Sequence, residues 1–288
     1  SSITFGSTTL TNAGMFIVKY DSNGNALWAK SAVGLSTTGN GISTDMSGNA
    51  SVTGNFSNDS ITFGSTILNS AGSSDIFVVK YDASGNVLWA KSAGGSSAEW
   101  TYGIYADGAG NVYLTGPFFS PTFVFGSTTL TKAGGSNPGD IFVVKYDNLG
   151  NAIWAKGTGG NNYDRGLSMT IDINDNLWLT GQFQSATIAF DINTLTNAGG
   201  EDFFISKLRL ATGIEETNQE NTVSVFPNPT NGKIEIRDWN SEVKSVEIYN
   251  VLGEKVYQSA VSNLQPEIDL EKQPNGIYFL HLHTGEAL

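Results

Sequence analysis

Alternating apolar and polar positions along most of the chain predict short β-strands joined by tight turns. The clearest case runs over residues 75–81, turns through residues 82–86 and returns over residues 87–91. In the first of these strands, Ile76 and Phe77 begin apolar rows on opposite faces. Because both faces are apolar, we expect the sheet that contains this strand to be covered on both sides.

The same hairpin is written three times, which indicates a repeat protein. Its returning strand carries Trp28, Trp89 and Trp154, which are spaced by 61 and then 65 residues. Each unit adds two earlier strands of the kind seen within residues 103–116. We therefore expect four strands in each repeat: A and B are the two earlier strands, and C and D form the hairpin. Residues 61–68, between strands B and C, predict a small extra hairpin, because their Gly-Ser centre suits a type II′ turn.

Four antiparallel strands with two apolar faces are typical of a β-propeller blade stacked between neighbours, and a right-handed β-helix is the alternative fold. The successive repeats contain two, four, four and three of these strands. The last repeat lacks strand D, because no Trp-Ala-Lys strand follows residue 208. The predicted fold is therefore all-β, an incomplete, open array of about three to four four-stranded blades. We expect this array to be the C-terminal part of a larger propeller.

Composition divides the chain into two domains. Residues 1–214 hold 30 of the 34 glycines and only two glutamates, whereas residues 215–288 hold ten glutamates and four glycines. The prediction is a repeat domain over residues 1–212, a polar linker over 213–221 and a second domain over 222–288. Short strands with alternating charged and apolar residues predict that the second domain is a small, Ig-like β-sandwich.

The repeats resemble a known family. Gly-Ile-x-x-Asp-x-x-Gly-Asn-x-x-x-Thr-Gly followed by Asp-x-Phe-Val-x-Lys-Tyr-Asp is similar to the bacterial β-propeller repeats called SBBP repeats, over most of residues 1–210. The resemblance supports the propeller prediction made from the strands themselves.

The second domain resembles the type A C-terminal sorting domain of the type IX secretion system of Bacteroidota. Three segments carry this resemblance, and their motif residues are Pro227, Asn228, Pro229 and Gly232, then Tyr249, Asn250 and Gly253, then Gly276 and Tyr278. The resemblance implies the type IX machinery as a partner and an extracellular or outer-surface location. The family usually ends with one more strand and a basic tail, so the resemblance also implies a C-terminally truncated domain.

Charge and composition exclude several classes of function. The net charge of −12 argues against nucleic acid or an anionic membrane as a partner, because both need clustered Lys and Arg. The absence of cysteine excludes disulfides, thiolate nucleophiles and zinc–thiolate sites. No apolar run is long enough for a transmembrane segment. We expect no cofactor and no bound metal.

Strand parity predicts where a ligand would bind. The A–B and C–D turns emerge at one rim of the repeats, and the longer D–A and B–C connections emerge at the other. Variable loops held by a rigid scaffold commonly carry recognition. The candidate ligand-binding residues on the second rim are Glu99, Trp100, Tyr102, Tyr163, Asp164 and Arg165. The alternative is that their aromatic side chains only cap the seams between blades.

Other residues have both a functional and a structural interpretation. The Asp-x-x-Gly-Asn turns resemble calcium loops, but one carboxylate per turn favours turn stabilisation. His281 and His283, at i and i+2 of a strand, offer two imidazoles to a metal, although a solvated strand face explains them better. The repeated tryptophans are either sugar-stacking platforms or, more simply, packing between blades.

The sequence predicts a secreted or cell-surface binding or scaffold protein rather than an enzyme. The repeats contain neither His nor Cys, so Ser–His–Asp and Cys–His catalysis are excluded there. A pair of carboxylates for glycoside hydrolysis stays open. The alternative is a non-catalytic part of a larger secreted carbohydrate-active enzyme or adhesin whose N-terminal region is missing. The expected ligand is a glycan or a protein.

Overall fold

Strands account for all regular secondary structure in the part of the chain that the structure describes. The computed structural model describes residues 2–11, 14–34, 36–57, 59–134, 139–209, 224–237, 243–260 and 267–284. The chain divides into two compact units, Ser1–Leu210 and Ala211–Leu288. The predicted linker, residues 213–221, lies outside the described residues.

The described residues of the first unit form 21 strands. They are β1 Ser2–Phe5, β2 Thr8–Thr11, β3 Phe16–Tyr20, β4 Ala26–Ser31, β5 Thr37–Thr44, β6 Ala50–Phe56, β7 Ser60–Phe63, β8 Thr66–Asn69, β9 Asp75–Tyr81, β10 Val87–Ala93, β11 Gly103–Ala106, β12 Val112–Phe118, β13 Thr122–Phe125, β14 Thr128–Thr131, β15 Asp140–Tyr146, β16 Ala152–Thr158, β17 Asp164–Ile171, β18 Asn176–Phe183, β19 Thr187–Phe190, β20 Asn193–Thr196 and β21 Asp202–Arg209.

These strands form four successive antiparallel sheets that correspond to the sequence repeats. Their orders are β3-β4, then β5-β6-β9-β10, then β11-β12-β15-β16, and finally β17-β18-β21. We call them sheets 1 to 4. They contain the two, four, four and three strands that the sequence predicted, with strands A to D in meander order.

A small hairpin precedes or interrupts each sheet, as predicted for residues 61–68. The hairpins are β1-β2, β7-β8, β13-β14 and β19-β20. Gly64 has a φ of +59° at the first turn position, and Ser65 is not among the residues with positive φ, which agrees with a type II′ turn. Phe63 of this hairpin packs on Phe77 of sheet 2, with ring centroids 5.0 Å apart.

The apolar core lies between consecutive sheets rather than within any one of them. Sheet 1 packs on sheet 2 through Ile17 and Val79, sheet 2 on sheet 3 through Val78 and Val144, and sheet 3 on sheet 4 through Val143. Each cluster includes residues of the small hairpin as well. Because strand C contributes to two clusters, one on each face, its apolar residues are buried on both sides, as the sequence predicted.

The repeated tryptophans join one sheet to the next. The indole Nε1 of Trp28 donates to the carbonyl of Ala83, and that of Trp89 donates to the carbonyl of Asn148, at 3.1 and 3.0 Å. Both acceptors lie in the C–D turn of the following sheet. A Cβ added at Gly150 in that turn would lie 2.8 Å from the Trp89 ring, so the glycine permits the close approach. This geometry supports packing rather than ligand stacking for Trp28 and Trp89.

The second unit contains six described strands in two sheets. They are β22 Ser224–Phe226, β23 Lys233–Arg237, β24 Val243–Asn250, β25 Lys255–Ala260, β26 Glu267–Asp269 and β27 Tyr278–Thr284. The sheet orders are β22-β23-β26 and β25-β24-β27. Both sheets contribute to one apolar cluster, which contains Ile234, Ile236, Val246, Ile248 and Ile268. The unit is therefore a small two-sheet β-structure.

Candidate functional site

The candidate rim lies at the end of the sheets opposite the Asp turns. In sheet 3, Ala106 pairs with Val112 beside the A–B turn, whereas Gly103 pairs with Thr115 toward the other end. Trp100 lies at this other end of the sheet, where its backbone N–H donates to the carbonyl of Pro117 at 3.1 Å. In sheet 4, Asp164 pairs with Phe183 at the same kind of end.

Three aromatic rings form a row along this rim. The Trp100 ring contacts the Phe119 ring edge-on, with centroids 5.0 Å apart. The Phe119 ring stacks on the Tyr163 ring at 5.8 Å, with an angle of 19° between their planes. All three side chains are half-buried, so each has a face toward solvent. We call Trp100, Phe119 and Tyr163 the aromatic row.

Arg165 closes one end of the aromatic row. Its guanidinium carbon lies 5.3 Å from the centroid of the Tyr163 ring, a cation–π distance. Its Nε and Nη2 both donate to Oε1 of Gln182, at 2.9 and 2.6 Å, and its Nη2 pairs with Glu201 at 3.0 Å. The sequence analysis missed Gln182 and Glu201, because no motif links either of them to Arg165.

Tyr102 lies next to the row. Burial raises the pKa of Tyr102 to about 12, and the charge of Tyr163 and a hydrogen bond with it act in the same direction. A tyrosine held in its neutral form keeps its hydroxyl proton for hydrogen bonding across the neutral pH range. The backbone N–H of Tyr102 donates to the carbonyl of Thr115 in β12 at 2.9 Å, so Tyr102 joins the row to sheet 3.

Glu99 and Asp164, two of the candidate ligand-binding residues, are not exposed. Both are fully buried. Glu99 accepts from the backbone N–H of Gly95 and of Ser120, at 2.8 and 3.1 Å. Asp164 accepts from two backbone N–H groups and from the hydroxyl of Ser185. The two carboxylates hold the rim loops together because buried loop amides need acceptors.

Phe118 and Phe119 show why neighbouring rim residues differ in role. Phe118 is the last residue of β12, a strand B, and Phe119 follows it, so strand alternation sends their side chains to opposite sides. Phe118 is fully buried in the cluster between sheets 2 and 3, whereas Phe119 joins the aromatic row. Only Phe119 is available to a ligand.

The Asp turns at the other rim use their carboxylates internally. The six turns begin at Asp21, Asp45, Asp82, Asp107, Asp147 and Asp172. In all six, one carboxylate oxygen accepts from the N–H groups two and four residues later, and the side-chain amide of the Asn four residues later donates to the carboxylate. These donors occupy the oxygens that a calcium ion would need, which favours turn stabilisation. Across the described residues, no group of three or more His, Cys, Asp or Glu side chains is placed to hold a metal ion.

The histidine pair lies on strand β27. His281 is exposed, and the side chain of His283 lies outside the described residues. Their position at i and i+2 places them on one face of the strand, as the sequence predicted.

The three sorting motifs fall on turns of the second unit. The first motif joins β22 to β23, where the N–H of Gly232 donates to the hydroxyl of Thr230 at 3.1 Å. The second joins β24 to β25, where the side-chain oxygen of Asn250 accepts from the N–H groups of Leu252 and Glu254, both at 3.0 Å. Gly253 in this turn has a φ of +79°, which glycine adopts without strain.

The third motif, between β26 and β27, lies beside both of the others. Lys233 pairs with Asp269, which places the first and third turns at one end of a sheet. Asn250 pairs with Tyr278, which places the second turn next to the start of β27. The hydroxyl of Tyr278 donates to the carbonyl of Pro274 at 2.5 Å and closes the third turn.

Tyr249 donates to a carboxylate oxygen of Glu247 at 2.6 Å. Pro227 and Pro229 of the first motif both follow cis peptide bonds.

Residues 224–287 match the protein family described as a secretion system C-terminal sorting domain. The chain is thus an all-β repeat protein whose C-terminal unit is similar to a sorting domain. This match supports secretion through the type IX system and, in general terms, a surface or secreted location. The described residues include no helix with the length and apolar character needed to span a membrane.

The chain has curated relatives of much greater length. An uncharacterised WD repeat-containing protein of Acanthamoeba polyphaga mimivirus is 30% identical over 212 residues, which are 62% of this chain and 15% of the relative. The regulatory protein FlaEY of Caulobacter vibrioides is 25% identical over 135 residues, which are 47% of this chain and 14% of that protein. The chain therefore spans about one seventh of the length of these relatives.

One solved structure to which the chain is similar is a component of the type IX secretion system. It is PorZ of Porphyromonas gingivalis, described as an essential bacterial surface component of that system. The alignment covers 91% of this chain and 46% of PorZ, at 14% identity and a TM-score of 0.19.

Proposed function

We propose that this chain belongs to an exported binding or scaffold protein of a Bacteroidota bacterium. In this proposal the C-terminal unit directs the protein through the type IX secretion machinery, and the repeats present a ligand-binding rim outside the cell. The match of residues 224–287 to a secretion sorting domain is the observation that carries the proposal. The protein acts by binding rather than by catalysis.

The repeats are proposed to be propeller blades of the SBBP type. Sheets 2 and 3 are four-stranded antiparallel meanders, and apolar clusters join each sheet to the next, as blade stacking requires. The mimivirus relative is described as a WD repeat-containing protein, and WD repeats build four-stranded propeller blades.

The ligand is proposed to be a glycan or a protein held on the aromatic row. Half-buried aromatic rings provide apolar contact area with little loss of side-chain entropy, which favours binding of a sugar face or an apolar side chain. Arg165 adds a charged group whose geometry is fixed by Gln182 and Glu201. Glu99 and Asp164 support these loops from below.

Export is tested by comparing the full chain, extended by the final strand and basic tail with which this sorting family usually ends, with a version that ends at residue 210. Both are expressed with a signal peptide in a bacterium that has a type IX system. We expect the full chain at the cell surface or in the medium and the shortened chain in the periplasm. A strain lacking the type IX machinery should retain both proteins in the periplasm. Equal export of the two proteins in the competent strain would refute the sorting role.

Binding is tested on glycan and surface-protein arrays with the wild type, Trp100→Ala and Arg165→Ala. We expect each substitution to weaken a bound ligand at least tenfold, because central aromatic and Arg contacts each contribute about 2 kcal/mol or more to an interface. Their melting temperatures should stay near that of the wild type, since both side chains are partly exposed. Unchanged binding together with a large loss of stability would assign the row to packing alone.

A further inference from the structure

A buried lysine crosses the seam, the contact layer, between sheets 2 and 3. Lys80 of strand β9 is fully buried. Its Nζ pairs with Oδ2 of Asp45 at 3.0 Å and donates to the side-chain oxygen of Asn148 and to the carbonyl of Gly110, both at 2.8 Å. Asp45 lies in the A–B turn of sheet 2, whereas Gly110 and Asn148 lie in two turns of sheet 3. An amine, a carboxylate and a carboxamide therefore converge at one buried point.

The seam between sheets 1 and 2 lacks this arrangement, although it follows the same repeat. There Lys19 takes the position of Lys80, and Ala83 takes the position of Asn148. Lys19 is only half-buried and donates to the backbone carbonyl of Ala83 at 3.1 Å. Among the described residues Lys19 forms no ion pair. The carboxamide and the carboxylate at Lys80 are therefore not a requirement of the repeat itself.

Two further contacts hold the Asn148 side chain beside the amine. Gly110 has a φ of +84°, and a Cβ added there would lie 2.7 Å from Oδ1 of Asn148 and 2.9 Å from Nζ of Lys80. The indole of Trp89 donates to the backbone carbonyl of Asn148 at 3.0 Å and fixes the position of its turn. A nucleophile and an acyl group held together in this way react as if at very high concentration.

We propose that Lys80 and Asn148 form an intramolecular isopeptide bond, with Asp45 as the catalytic base. Asp45 accepts a proton from Nζ of Lys80, and the lone pair of the neutral amine attacks Cγ of Asn148. A new bond joins Nζ to Cγ, and the bond from Cγ to the amide nitrogen breaks with its electron pair on that nitrogen. Two protons of the lysine ammonium pass through Asp45 to the leaving nitrogen, which departs as an ammonium ion. Asp45 ends as a carboxylate, and no oxidant or other co-reactant is needed.

The surroundings of the three groups favour this step. Transfer of the first proton converts two buried charges into two neutral groups, which an apolar environment favours. Burial favours the neutral acid at Asp45, but hydrogen bonds from Asn49 and Lys80 outweigh it, so the pKa of Asp45 lies below its ordinary value. Asp45 is thus ionised at neutral pH and able to accept the proton. Asn148 as a whole is exposed, which gives the leaving ammonium ion a path to solvent.

The bond would give the repeats a covalent link that they cannot obtain from disulfides, because the chain contains no cysteine. Lys80 and Asn148 are 68 residues apart, and they belong to consecutive sheets. A link across so long a loop restricts the unfolded chain, as a disulfide does, and holds the seam closed.

The test is the mass of the folded full chain, measured after purification and again after prolonged incubation. We expect the wild type to be lighter than its sequence by one ammonia, and Lys80→Met and Asn148→Ala to keep their full masses. Trypsin should release from the wild type a branched peptide that joins residues 31–91 to residues 146–156, because a modified lysine is not cut. Ring closure at an Asn-Gly pair also loses ammonia, so the branched peptide decides the assignment.

Two variants test the role of the carboxylate. Asp45→Asn removes the base and should stay unlinked while circular dichroism shows that it folds. Ala83→Asn is the matched control: it places a carboxamide beside Lys19, which has no carboxylate partner in the described part of the chain, and it should form only the original bond. A folded wild type that yields no branched peptide would overturn the inference and leave Lys80 and Asp45 as a buried ion pair. Equally fast bond formation in folded Asp45→Asn would contradict catalysis by Asp45.

Discussion

Aspartate has two opposite roles in the repeats, and its surroundings decide which one it takes. At the turns, the side-chain amide and then the backbone N–H of Asn86 stabilise the charged form, so the pKa of Asp82 lies below its ordinary value. At the start of strand C, burial dominates. It raises the pKa of Asp75, and it raises the pKa of Asp140 to about 6. The nearby Asp164 carboxylate adds to the shift of Asp140.

Asp140 should make the folded protein less stable as the pH rises. One of its carboxylate oxygens accepts from the backbone N–H of Ala133, and the other is buried with no hydrogen-bond partner among the described atoms. Its folded pKa is above the unfolded value, so the folded state binds the proton more tightly between about pH 4 and pH 6. The free energy of unfolding should therefore fall across that window, by on the order of 3 kcal/mol for two pKa units.

Asp140→Asn removes the titrating group and should flatten this part of the pH profile, measured as the free energy of unfolding in urea from pH 4 to pH 8. The matched control is Asp147→Asn at a turn, where the carboxylate accepts three hydrogen bonds and has a lowered pKa. That variant should lose stability at pH 8, because an amide group would face the amide of Asn151. A profile for Asp140→Asn that keeps the wild-type slope would show that Asp140 titrates normally.

At the scale of elements, the seam between sheets depends on a tryptophan that crosses it. Trp89 lies in strand β10, and its indole reaches the C–D turn of sheet 3. The ring also lies 6.2 Å from the ring of Tyr146, measured between centroids. The hydrogen bond fixes the spacing of the two sheets at the rim of the Asp turns.

Trp89→Phe should destabilise the repeat unit by about 1 to 2 kcal/mol, because it removes one hydrogen bond and part of the contact with Gly150. The control is Trp154→Phe, where the indole packs at 6.3 Å on the ring of Tyr113 in its own sheet. We expect a smaller loss there. Urea unfolding followed by tyrosine and tryptophan fluorescence measures both. Equal losses in the two variants would show that the bond between sheets contributes nothing specific.

The sequence was most informative about elements that depend on local pattern. Strand alternation, the Gly-Ser centre of residues 61–68 and the Asp-x-x-Gly-Asn turns predicted the four sheets, the small hairpin at residues 61–68 and the turn structure, because each of these is determined within about ten residues. The two-sheet second unit was predicted for the same reason.

Sequence reasoning was least informative about side chains whose surroundings come from distant segments. In the sequence, Glu99 and Asp164 belong to variable connections, which suggested ligand-binding residues, whereas in the structure Asp164 begins β17. The structure buries both, because amide groups from loops about twenty residues away converge on them. Arg165 and Gln182 are paired across the adjacent strands β17 and β18, and Glu201 lies just before β21, so these contacts depend on a strand register that the sequence motifs did not assign.

At the scale of the whole molecule, the apolar clusters form two independent groups. The clusters of the first unit share sheets 2 and 3, so each seam is coupled to the next through the strands they have in common. The cluster of the second unit draws only on residues 225–282. Cooperative unfolding requires contacts that connect the parts of a structure, and each of these apolar clusters belongs to one unit.

The two units should therefore unfold in separate transitions, each sensitive only to substitutions in its own core. Phe142→Ala, between sheets 2 and 3, should cost about 3 to 5 kcal/mol in the first unit, and Ile248→Ala should cost about 2 to 5 kcal/mol in the second. Both side chains are almost completely buried. Differential scanning calorimetry of the full chain should show each variant lowering the midpoint of one transition while the other stays in place. A single transition that both substitutions lower by similar amounts would show instead that the sorting unit and the repeats fold as one cooperative body.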